Sequence, residues 1–269
     1  VMPGANSMAS KAAGRIFTDF SQESGILFRH HENDFVDFRD EVLLPTPLSR
    51  DGNEMSNTDV NGDHLEDVFL GGAIGQPGRL YLQTASGTFA AAPSQPWIAD
   101  SSSEEVNAIF FDADQDGDMD LYVVSGGNEY QDQSPEYQDQ LYLNDGKGNF
   151  IRAANALLPM LSSKYAVVEA DFDHDGDIDL FVGGRGLPGS FPLPSRSYLL
   201  RNDSKNGVVR FTDVTAEMCE ALLMPGMVKA AAWTDLNQDH YPDLMIAGDW
   251  MPVMLFQNNN GKLEDISAR

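Results

Sequence analysis

Cysteine is nearly absent: Cys219 is the single one among 269 residues. A lone thiol makes no internal disulfide and builds no thiolate metal centre, so Cys219 reads as a small, partly buried apolar residue. Basic residues are scarce as well, with 17 Lys and Arg against 42 Asp and Glu and a formal net charge of −25. Such a surface repels phosphate backbones and anionic lipid, which argues against nucleic acid as a partner and against membrane-surface binding. No apolar run approaches the ~18 residues of a membrane-spanning helix, so no membrane insertion is expected of this segment. Residues 1–14 lack the apolar stretch of a secretion signal and read as an unstructured N-terminal segment or a cloning remnant. Aromatic residues, by contrast, are plentiful, with 15 Phe and 8 Tyr, so the charge sits on a folded body and not on a disordered acidic tail.

Internal repetition is the main positive signal. Four nine-residue acidic segments align, starting at Asp59, Asp112, Asp171 and Asp235. Each leads into a short apolar run such as Leu121–Val124 or Leu180–Val182. A second pattern follows: an apolar run, an Asn/Asp/Gly turn and another short run, as in Leu141-Tyr-Leu-Asn144 followed by Asn149-Phe150. Runs this short, bounded by turn formers, favour strands over helices. Each repeat therefore reads as four antiparallel strands, the unit of a β-propeller blade. The expected fold is all-β, with blades at about 51–92, 104–152, 163–214 and 227–267 and an outer strand of another blade at 15–20. That extra strand suggests a longer propeller, of about seven blades. Residues 153–161 and 216–223 are the candidate short helices.

The acidic segments need a counter-charge. Two unit charges 4 Å apart repel by about 4 kcal/mol at an effective dielectric of about 20. The loops at Asp112 and Asp171 each pack five carboxylates into nine residues. Side chains at positions 1, 3 and 5 can turn inward together, Gly117 or Gly176 at position 6 permits a sharp turn, the position 7 carbonyl can join, and Asp at position 9 can close the cage. Six or seven hard oxygens describe calcium better than magnesium. An EF-hand does not fit, because position 12 is Leu70, Val123, Val182 or Ile246 and the flanks read as strands. The first and fourth loops carry His64 and His240 at position 6 and Asn61 and Asn237 at position 3, so the loops at Asp112 and Asp171 are expected to bind tightest.

These phrases resemble the FG-GAP or VCBS repeat of integrin-α-like calcium-binding propellers. Further phrases are similar to a bacterial subgroup found with the ASPIC/UnbV domain: Phe17-Thr-Asp-Phe, Leu141-Tyr-Leu-Asn-Asp-Gly-Lys-Gly-Asn-Phe150, Pro194-Ser-Arg-Ser-Tyr198 and Gly248-Asp-Trp-Met-Pro252. The resemblance implies up to four Ca2+ ions. Their ligands would be Asp59, Asn61, Asp63, Leu65 and Asp67; Asp112, Asp114, Asp116, Asp118 and Asp120; Asp171, Asp173, Asp175, Asp177 and Asp179; and Asp235, Asn237, Asp239, Tyr241 and Asp243, with position 7 contributing its carbonyl. No catalytic residues are assigned.

Calcium loops suit a calcium-rich exterior, so an extracytoplasmic setting (secreted, periplasmic or cell surface) is expected. The expected role is a binding module for a protein or carbohydrate ligand, presented by loops on rigid blades. The longest inserts, 126–140 and 183–196, carry Glu129, Tyr130, Tyr137, Arg185 and Phe191. Trp97, Trp233 and Trp250 read as core. A polysaccharide lyase or hydrolase would need an acid–base pair outside the metal cages, for which His30, His31, Glu32 and Asp34 are the only concentrated source. A purely architectural role in a cell-envelope assembly is the third reading.

Overall fold

The computed structural model describes residues 18–52, 54–93 and 96–267. Among these, four four-stranded antiparallel sheets follow one another along the chain, each in sequential strand order. The first holds β1 (Met55–Thr58), β2 (Asp67–Leu70), β3 (Arg79–Gln83) and β4 (Phe89–Ala91). The second holds β5 (Glu104–Phe111), β6 (Asp120–Gly126), β7 (Gln140–Asn144) and β8 (Phe150–Arg152). The third holds β9 (Lys164–Ala170), β10 (Asp179–Gly184), β11 (Tyr198–Asn202) and β12 (Phe211–Asp213). The fourth holds β13 (Met227–Thr234), β14 (Asp243–Asp249), β15 (Met254–Asn259) and β16 (Lys262–Asp265). The chain is thus all-β, built of propeller-type blades. The outer strand expected at 15–20 lies largely outside the described residues, and residues 18–20 are not in a strand.

The core lies between blades and follows from the two-residue period of a strand. Along β6, Leu121 and Val123 pack with Phe69, Leu80 and Trp97 toward the first blade. Tyr122 and Val124 turn the other way, to Tyr165, Val167 and Leu180 of the third. Along β10, Leu180 and Val182 share that cluster while Phe181 packs with Val228, Leu244 and Phe256 of the fourth. Both faces of each middle strand are therefore covered, which is why β6 and β10 are buried throughout. Glycine lets the blades approach closely: a Cβ on Gly126 would stand 2.5 Å from the Lys164 carbonyl, and one on Gly183 2.7 Å from Val228. Among the described residues the innermost strands pack in the order β1, β5, β9, β13, with no comparable packing of β13 on β1.

The blade interface between the second and third sheets also holds a buried ion pair. Lys164 is fully buried, donates to the carbonyls of Tyr137, Met160 and Ser162 at 2.6–2.7 Å, and lies 3.3 Å from Asp139. These contacts explain why 153–161 is not helical. Gln138 bonds the Leu158 carbonyl and the Met160 N–H, and Lys164 takes the Met160 carbonyl, so the backbone groups a helix would use are held elsewhere. The 216–223 expectation is realised only as a short helix, α1 (Thr215–Met218), and one 3-10 turn, Glu220–Leu222.

Candidate functional site

In an up-and-down sheet, the turns joining strands one to two and three to four lie at one end. The acidic segments are all first-to-second turns, so the four loops share one face. Their backbones are alike. Position 6 has positive φ in every loop: His64 66°, Gly117 91°, Gly176 98° and His240 75°. Position 4 does too, at Gly62 77°, Gln115 65°, His174 61° and Gln238 64°. The second left-handed residue leaves no glycine signature in three of the four loops.

Position 9 has the same structural task in each blade. Asp67, Asp120, Asp179 and Asp243 are at most 1% exposed. Each accepts the N–H of position 2 (Val60, Ala113, Phe172, Leu236) and the N–H of the residue near the end of the third strand (Gln83, Asn144, Asn202, Asn258). The amides of Asn144, Asn202 and Asn258 then reach across to the preceding blade. They donate to the carbonyls of Val60, Ala113 and Phe172 at 2.8, 3.0 and 2.7 Å. The first three acidic loops are thereby each clasped to the next blade. These asparagines recur in the sequence, but there they look like turn formers; the partner in another repeat is what gives them their role.

The structure brings together positions 1, 3 and 9 of two loops. Asp112, Asp114 and Asp120, and likewise Asp171, Asp173 and Asp179, place one carboxylate oxygen each within 4.8 Å of the others. Position 5 stands apart from these sets: Asp63, Asp116, Asp175 and Asp239 each accept the N–H of position 7 (Leu65, Asp118, Asp177, Tyr241) at 2.9–3.0 Å. Among the described residues no Lys or Arg forms an ion pair with either triad, although the Arg201 charge acts on Asp173, and such converging carboxylate oxygens fit a hard divalent ion. The electrostatics agree. Burial first, then repulsion from Asp116 and Asp175, raises Asp114 and Asp173. Burial, only partly offset by backbone N–H donors, pushes Asp120 to about 7 and Asp179 to about 8.

The other face carries the long connections and residues 26–52, which run across it. Asp37 accepts from Leu48, Ser49 and Asn128; Glu41 accepts from Asn128 and from the Phe191 N–H; Asp51 pairs with Arg185 and Lys229 at 2.6 Å. An open cavity of about 530 Å³ lies between this segment and the blades, lined by Phe35, Asp40, Glu41, Asn128, Tyr130 and Pro188 among others. Of the insert residues, Tyr137 and Arg185 are buried, whereas Tyr130 and Phe191 reach the surface. Trp97 is core, but Trp250 is 74% exposed, correcting the expectation from its hydrophobicity. It follows the last residue of β14 at φ 58°, a turn that swings the indole outward against Phe191 with ring centroids 5.8 Å apart. His30 and His31 do not form a pair: His30 is half-buried against Glu32, and His31 is exposed.

An all-β chain with carboxylate-lined loops at one end of successive blades defines a propeller-type repeat protein. Residues 59–123 and 124–182 match the FG-GAP-like repeat family. The loop at Asp235 lies beyond both matched segments, yet its blade has the same strand order and the same clasp. Among solved structures, the chain is similar to an Agrocybe aegerita lectin described as recognising non-reducing terminal N-acetylglucosamine. Identity is 16% and the TM-score 0.48, with 79% of this chain and 51% of that one covered, so this chain spans about half the lectin's length. No curated protein matches the chain.

Proposed function

We propose that this chain is a calcium-stabilised, extracytoplasmic β-propeller binding module whose ligand, protein or carbohydrate, docks on the face opposite the acidic loops. Calcium at Asp112, Asp114 and Asp120 and at Asp171, Asp173 and Asp179 neutralises carboxylates that the fold forces together. Through the Asn144 and Asn202 bonds it stiffens the neighbouring blade contacts. The FG-GAP-like repeats support this reading, and the ASPIC/UnbV-like phrases point to a bacterial subgroup.

One observation carries the binding role: the exposed Trp250 and its partner Phe191, held on rigid blade connections. Large apolar side chains left in water mark interaction sites, and an indole presents a flat face to a sugar ring or an apolar side chain. Val42, Leu43 and Leu193 are also exposed in the segments around Glu41 and Phe191. The test is a glycan array and a pull-down with calcium-loaded protein, comparing wild type with Trp250→Ala and Phe191→Ala. The reading expects ligand capture to fall at least tenfold in both variants with melting unchanged. Capture that ignores both substitutions contradicts it.

A further inference from the structure

A second set of ligand-type side chains lies on the face away from the acidic loops. His30 and Glu32 stand two residues apart in the segment before the first blade, with their side chains in contact. Glu104 opens β5. One potential ligand atom of each lies within 4.8 Å of the other two, and His30 Nε2 is 2.7 Å from Glu32 Oε1. Two atoms of this group are buried without a partner: His30 Nδ1 and Glu104 Oε1. Glu104 is 1% exposed, and only its other oxygen is used, accepting the Ile74 N–H at 2.9 Å.

The local charge is unbalanced. The carboxylates of Glu129, Glu32 and Glu105 act on Glu104, and among the described residues no Lys or Arg forms an ion pair with any of these four. A cation would satisfy both the charge and the orphaned atoms.

We propose that His30, Glu32 and Glu104 hold one divalent transition-metal ion, with zinc the best match. Two carboxylates and an imidazole are a zinc-type donor set that leaves a position open. An imidazole nitrogen does not suit calcium, which takes oxygen ligands. The surrounding bonds already fix the ligands. Gln76 accepts the His31 N–H at 2.7 Å and donates to the Arg29 carbonyl at 2.8 Å, bracketing His30, while Ile74 holds Glu104. Such supporting contacts orient metal ligands. The ion would tie the N-terminal segment to the second blade.

The experiment is zinc titration by calorimetry in saturating calcium, with Co2+ absorption as a second readout on the wild type. Zinc binds once per chain at micromolar concentration, Co2+ gives a visible band, and Glu104→Gln and His30→Gln each weaken zinc at least tenfold. The pair Asp112→Asn and Asp171→Asn leaves zinc uptake unchanged. No uptake by the wild type, equal affinity in the Glu104 and His30 variants, or loss of uptake in the loop variants would each overturn the assignment.

Discussion

The four acidic loops share one backbone but divide into two pairs. In the outer pair, the first aspartate is satisfied by the chain itself. Asp59 accepts N–H groups from Asn61, Gly62, Asp63 and His64, and Asp235 from Gln238, Asp239 and His240. Burial works upward on both, but these donors together hold them below the usual carboxylate range. Asn237 also turns its amide onto Asp239 at 2.8 Å. In the inner pair, Asp112 and Asp171 accept from positions 5 and 6, and the third position is a raised carboxylate. In one pair the chain's own N–H groups hold the first aspartate down; in the other a third-position carboxylate is raised by burial and by its acidic neighbours. The same fold can therefore hold a loop for its shape alone or hold it open for a cation.

The largest expected effect comes from position 9. Asp67→Ala or Asp243→Ala orphans two backbone N–H groups, which at about 1–3 kcal/mol each costs roughly 2–6 kcal/mol of stability. Asp120→Ala and Asp179→Ala should cost at least as much, and each should also remove its own loop's share of the calcium-dependent rise in melting temperature. Equal calcium response in all four variants would erase the distinction between the pairs. Next come affinity changes: Asp114→Asn or Asp173→Asn should weaken calcium about tenfold or more, because ligand charge tunes such loops. The double change Asn61→Asp with His64→Gly should create a third tight site, which equilibrium dialysis can count.

A pH prediction follows from Asp120 and Asp179. Their folded values, about 7 and about 8, lie above the ordinary carboxylate value of 3.8. The folded state therefore binds the extra protons, and the stability this confers is present below about pH 4 and lost as pH rises toward 8. Chelator-treated protein should melt lower at pH 8 than at pH 5, and calcium should remove most of that difference. Denaturation scans with and without chelator measure it. The smallest effect belongs to His64→Gly and His240→Gly. Relief of the left-handed strain, offset by glycine's entropy, should stabilise each by no more than about 1 kcal/mol.

The blades were legible because a repeat states its pattern several times: Asp at position 9 and the apolar run behind it mark each loop and its second strand. Other features depend on partners that the repeat does not contain. Asn144 looks like a turn residue until Val60, in the preceding blade, supplies its acceptor. Gln115, His174 and Gln238 carry no glycine to announce their positive φ. Residues 26–54 have no repeat at all, so nothing local said that Asp37 and Asp51 would be tied to the far side of the molecule. Trp250 departs from the expected burial because hydrophobicity indicates burial only on average, and its own positive φ after β14 turns the indole outward.

The proposal that calcium completes the loops at Asp112 and Asp171 can be tested on the wild-type protein. Calorimetric titration of calcium into chelator-treated wild-type protein tests it most directly. Two tight sites are expected, both removed in a variant carrying Asp112→Asn and Asp171→Asn. Four equivalent sites, tight binding confined to the loops at Asp59 and Asp235, or no heat of binding at all would contradict it.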